Sequence, residues 1–162
     1  MRLAVIAVGR LKGGPERDLV ERYRARIEGI GRGLGIAGPD LLELPESRAR
    51  RVDDRQTEEA AGLLARAGPG ARLVAFDERG RSPTSEAFSD TVRRWRDAGA
   101  PMLACLLGGP DGFADDIRKK ADLLVSFGAL TVPHQLARVL VVEQLYRALT
   151  ILAGHPYHRT GE

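Results

Sequence analysis

The chain has 162 residues, 43% of them hydrophobic and 29% charged, which suits one compact domain with a real core. No window of about 18 apolar residues occurs, so no membrane-spanning helix is expected. The net charge of +3 and pI near 9.4 are compatible with nucleic acid without singling it out, and all but three of the 25 basic residues are arginine.

The first apolar run, RLAVIAVG (2–9), is too short for a signal peptide and has no small-residue cleavage site after it; it reads as a strand of a cytoplasmic protein. A helix over 15–27 follows, with Leu19, Val20, Tyr23 and Ile27 at helical spacing. DLLELP (40–45) is a second strand, and the charged segment 46–54 reads as a mobile loop too short to link two domains. A helix over 55–68 stops at Gly68-Pro69-Gly70. RLVAFD (72–77) is a third strand. A helix over 84–99 carries Phe88, Val92 and Trp95 on one face and takes Ser82 or Thr84 as its cap. PMLACLLG (101–108) is a fourth strand, whose lone cysteine, Cys105, is a small buried hydrophobe without metal or disulfide partners. A helix over 111–122, a short strand over 123–127 and a long helix over 133–152 complete the chain. Strands alternating with helices, and nearly all-apolar central strands, predict a single α/β domain over 1–162: a mostly parallel sheet with helices on both faces.

Ligands of such sheets bind where loops leave the carboxyl ends of the strands. Three loops qualify: FDERG after the third strand, GGPDG (108–112) after the fourth, and FGALTVP (127–133) after the fifth. GGPDG lacks the lysine and hydroxyl of a phosphate loop and does not match GxGxxG. It is either a backbone surface for a ligand or an ordinary strand-to-helix turn. FGALTVP is either a ligand loop or a simple helix entry, with Pro133 placed for a first helical turn. His134 falls beside the strand ends, while His155 and His158 sit in the tail. Glu143 and Arg147 are spaced for an intrahelical ion pair. Arg138 has no such partner four residues away. No Ser-His-Asp set, carboxylate pair or CxxC supports hydrolytic or metal chemistry.

Together AVGRLK, LLGGPDG, SFGALTVPHQLARVLVVEQLYRA and HPYHR resemble, over essentially the whole chain, the ribosomal RNA large subunit methyltransferase H family of the SPOUT class. The resemblance implies a C-terminal trefoil knot, S-adenosyl-L-methionine as cofactor, and a homodimer with the long helix in its interface. It implies methylation at N3 of a pseudouridine in 23S rRNA on the assembled ribosome. Carried over, the cofactor contacts fall on Phe76, Gly108, Phe127, Gly128, Ala129, Leu130, Thr131 and Val132, and the catalytic positions on His134, Arg138, Tyr157, His158 and Arg159. Phe76 stands where the family often has leucine, and Thr160 to Glu162 continue past the family's ending. The implied dimer would let one subunit's tail and the other's Arg10 and Lys12 share a substrate. Rival readings are a non-enzymatic ribosome- or RNA-binding factor on the same fold, a SPOUT enzyme of another RNA site such as a tRNA ribose, and a dinucleotide enzyme, against which the missing GxGxxG counts.

Overall fold

A computed structural model describes residues 1–158, the last of these by its backbone alone. Five strands form one sheet: β1 (Arg2–Val8), β2 (Ala37–Leu44), β3 (Arg72–Arg81), β4 (Met102–Leu107) and β5 (Leu123–Val125). Their order is β2-β1-β4-β3-β5, and every pairing is parallel. Five helices pack around them: α1 (Pro15–Gly31), α2 (Val52–Ala67), α3 (Ser85–Asp97), α4 (Asp115–Lys120) and α5 (His134–Leu152).

Strand side chains alternate between the two faces of a sheet, and the core divides accordingly. Leu3, Val5 and Ala7 of β1 with Leu103, Cys105 and Leu107 of β4 pack against Val20 and Ile27 of α1, Phe88 and Val92 of α3, and Val141, Leu145 and Leu149 of α5. Ala4, Ile6 and Val8, with Ala104 and Leu106, pack against Ala60 and Leu63 of α2 and Ile117 of α4. Both faces of β1 and β4 are therefore covered, which is why these strands are nearly all apolar in sequence.

The elements depart from the sequence expectation in places. α1 runs to Gly31, and β2 begins at Ala37 rather than Asp40. α4 begins only at Asp115, because Gly109 and Gly112 first close a tight turn. Thr84 is the cap of α3, its Oγ1 accepting the Ala87 N–H. The expected mobile loop at 46–54 is corrected: Val52 to Asp54 start α2, and the preceding residues are tied down by Ser47, whose N–H donates to Glu59, and by Arg55, which donates to the carbonyls of Ala49 and Arg50. β3 continues four residues beyond the expected Asp77. Its extension turns over the end of β5, so that Phe76 and Arg81 are both registered with Val125 and the Ser126 N–H donates to the Arg81 carbonyl at 2.8 Å. Gly80 makes this crossing possible, since a Cβ there would sit 2.6 Å from the Val125 carbonyl carbon.

Candidate active site

In a parallel sheet all the carboxyl ends lie at one edge, and there the loops after β3, β4 and β5 enclose a cleft of about 1290 Å³. The start of α2, with Asp53, Gln56 and Thr57, forms its side wall. Phe76, Gly108 and the run Phe127, Gly128, Ala129, Leu130, Thr131 and Val132 all line it, as does His134 at the first position of α5.

Each wall has its own local cause. After β4, a Cβ at Gly109 would meet the Glu59 carboxylate at 2.7 Å, and one at Gly108 the Gly112 backbone at 3.2 Å. Both glycines thus sit in tight surroundings, where a side chain would have to displace Glu59 or the Gly112 backbone. The Asp111 carboxylate takes a two-pronged ion pair from Arg55 (2.6 and 3.2 Å), and its carbonyl accepts from Gln56 at 2.7 Å. The Arg55 hydrogen bond holds Asp111 below the usual carboxylate range. After β3, buried Asp77 accepts from the Arg79 N–H and from Arg118 Nε at 2.8 and 2.9 Å. After β5, the Ser126 hydroxyl exchanges two 3.1 Å hydrogen bonds with the backbone of Gly128, whose φ of 115° suits glycine. Phe76 and Phe127 stack with centroids 5.2 Å apart. Leu130 is 87% exposed at the mouth.

The other expected catalytic residues lie elsewhere. Arg138 is buried beneath the ends of β1 and β2, donating to Glu43 Oε1 (2.8 Å) and to the carbonyls of Val8 (2.9 Å) and Gly9 (2.8 Å). Burial lowers its pKa, while Glu43 opposes that shift. It lines a separate cavity of about 210 Å³ with Leu11, Arg17 and Val142. Tyr157 packs on Tyr146 at 4.7 Å, and its hydroxyl lies 3.2 Å from both Tyr23 and Glu143. Burial first, then Tyr23 and Glu143, raise its pKa. Glu143 is nine residues along α5 from His134, about 13 Å at 1.5 Å per residue, so this chain's Tyr157 is not in its own cleft. The side chain of His158, and Arg159, lie outside the described residues.

The family described as predicted SPOUT methyltransferases matches residues 1–158. Ribosomal RNA large subunit methyltransferase H of Methylobacterium radiotolerans is 59% identical over 160 residues, covering 98% of each chain. The protein of that name from Nitrobacter hamburgensis is 57% identical over 159 residues, 98% of this chain and 99% of its own. The chain belongs to the ribosomal RNA large subunit methyltransferase H family of SPOUT methyltransferases. It is a methyltransferase. A solved structure, a probable methyltransferase from Bordetella pertussis Tohama I, shares its fold at TM-score 0.56 and 16% identity over 91% of this chain and 95% of that one.

Within this SPOUT methyltransferase the cleft fits a methyl donor made of an adenosine and a charged amino-acid sulfonium. The loops after β4 and β5 bring Gly108, Gly109, Gly112 and Gly128 to the cleft, and the Phe76–Phe127 stack is an apolar wall for a flat ring. Asp53, Asp77, Glu78, Asp111, Asp115 and Asp116 line it against Arg79, Arg118 and Lys120, an acidic balance that favours a cation. Sequence reading missed Arg55, Asp77, Glu59 and Arg118. Each is an ordinary helix or loop residue in sequence, and its partner lies 12 to 56 residues away. The described residues contain no helix long and apolar enough to cross a membrane and no cluster of potential metal ligands.

Proposed function

We propose that this chain methylates N3 of a pseudouridine in 23S rRNA on the assembled large subunit in the cytoplasm, using S-adenosyl-L-methionine. The single observation carrying this reading is the cleft that joins the 127–132 loop directly to His134, in a chain so similar to proteins named ribosomal RNA large subunit methyltransferase H.

When bound, the sulfonium donor supplies an electrophilic methyl group and departs as a thioether. Phe76 and Phe127 would bound the space for its flat ring, and residues 127–132 would line the rest of its pocket. Substrate N3 carries a proton near neutral pH, and an imidazole is the side chain suited to accept it, leaving the electron pair on nitrogen. His134 stands in the cleft to do so. Arg138 holds the start of α5 to the β1 and β2 ends, and so fixes where His134 stands. Positioning of this kind supplies several kcal/mol of the barrier reduction.

Tyr157 stands about 13 Å along α5 from its own His134, and this separation supports a homodimer in which a second chain completes the site. The tail's arginine steadies charge on the base or a phosphate. The crossing of 77–81 over the end of β5 supports the trefoil knot of this class. Single-turnover methyl transfer by His134→Ala and His158→Ala tests the chemistry, with donor binding followed by calorimetry. A large fall in rate with donor affinity kept is expected for at least one. Near-parental rates in both would remove the histidine base.

A further inference from the structure

Residues 45–51 join β2 to α2 beside the cleft. Ser47 and Ala49 are half-buried, whereas Arg48, Arg50 and Arg51 are exposed, so alternate side chains face inward and outward. The inward side is fastened at several points. The Ser47 N–H donates to the buried Glu59 carboxylate at 2.9 Å, and its hydroxyl donates to Glu58. Arg55 Nη1 reaches the carbonyls of Ala49 and Arg50, each at 3.1 Å, while its other nitrogens grip Asp111 of the cleft loop. One guanidinium thus holds both the arginine segment and a cleft wall.

The outward side carries unspent charge. Arg48 and Arg50 make no ion pair among the described residues, nor do exposed Arg10 and Lys12 on the loop after β1. That loop is adjacent, since a Cβ on Gly9 would approach the Glu46 carboxylate at 3.2 Å. Both loops leave the same sheet edge as the cleft, and Asp53, three residues after Arg50, already lines the cleft wall. Guanidinium groups held at the end of fixed backbone lose less freedom on binding than those on a loose loop. Their fork matches phosphate oxygens.

We propose that the 45–51 segment is a preorganised arm that grips the RNA backbone beside the methyl-transfer cleft through Arg48 and Arg50, with Arg55 as the positioning residue that sets the arm against the cleft. This rests on the RNA-methyltransferase reading and adds to it where the substrate's phosphates lie.

The test uses full-length protein and purified ribosomes. Binding is measured against potassium chloride concentration, and methyl transfer is followed at steady state. Each phosphate contact contributes roughly 0.7–0.9 to the slope of log affinity on log salt, so Arg48→Ala/Arg50→Ala should flatten that slope by about 1.5. The KM for ribosomes should rise about tenfold near physiological salt, with kcat and donor affinity by calorimetry kept near parental values. Arg48→Lys/Arg50→Lys should recover most of the slope, since lysine also binds phosphate as a point charge. Arg55→Gln should raise KM while leaving the slope closer to parental, because the arm's charges remain. An unchanged slope and KM in the alanine variant would overturn the proposal. Weaker binding with an unchanged slope would also overturn it, by assigning the arm to a protein contact. A parental protein that binds donor but methylates no ribosome would remove the underlying reading instead.

Discussion

Replacing Gly80 by alanine probes the crossing of β3 over β5 with a single carbon atom. The added Cβ would lie 2.6 Å from Val125 C, 2.7 Å from Val125 N and 2.8 Å from Leu124 C. All three are backbone atoms of a paired strand, so no side chain can rotate away. Gly80 has an ordinary φ, so the penalty is steric alone. Relief requires the 77–81 crossing to lift off β5. That would break the 2.8 Å hydrogen bond from the Ser126 N–H to Arg81 and the 3.0 Å bond from Ser82 Oγ to the Ser126 carbonyl. Overpacking costs about 1–3 kcal/mol and each hydrogen bond about 0.5–1.5, so the loss should be about 2–6 kcal/mol. For a chain of this size that lowers the melting temperature by about 10 °C. Ser126 and Phe127 line the cleft, so donor affinity should fall with it. Differential scanning calorimetry at matched concentration reads the first effect and titration with donor the second. Gly29→Ala is the control: that helical glycine has open space around its Cβ, and the substitution should stabilise by about 0.5–1 kcal/mol. A Gly80→Ala protein melting within a degree or two of the parent would refute the close crossing.

Two further outcomes are expected. Arg138→Ala should lose about 1–3 kcal/mol in urea unfolding, because it leaves two strand-end carbonyls without their guanidinium donor while Glu43 keeps the Leu11 N–H and Arg17; parental stability with a collapsed kcat would place that guanidinium on the substrate instead. Cys105 is fully buried, and its thiol is pushed up to about 12 by burial, so the reactive thiolate is suppressed at ordinary pH. A thiol reagent at pH 8 should therefore label the unfolded chain and not the native one, and rapid native labelling would mean that β4 opens.

Much of the fold was legible because it rests on local periodicity. The apolar runs of β1 and β4 and the spacing of Leu19, Val20, Tyr23 and Ile27 are what strands buried on both faces and an amphipathic helix require. The cleft loops were legible for a related reason. Parallel strands put their carboxyl ends at one edge, so GGPDG and FGALTVP had to leave the same edge, and the order β4-β3-β5 brings them together. The glycines of GGPDG line the cleft and also stand close to Glu59 and the Gly112 backbone.

The sequence by itself determined the strands of a parallel sheet, its two-sided cover, and the three loops, from Phe76 to His134, that leave its carboxyl edge. These follow from side-chain period and chain direction, which any short window reveals. Only the tertiary structure decided what Arg138, Tyr157 and Arg55 do. Arg138 is sealed beneath β1 and β2 against Glu43, 95 residues away. Tyr157 is packed against Tyr23, 134 residues away. Arg55 couples an arginine segment to a cleft loop 56 residues on. Such pairings depend on how helices seat on a closed sheet, and a burial that turns an isolated cation into a strut leaves no period in the chain.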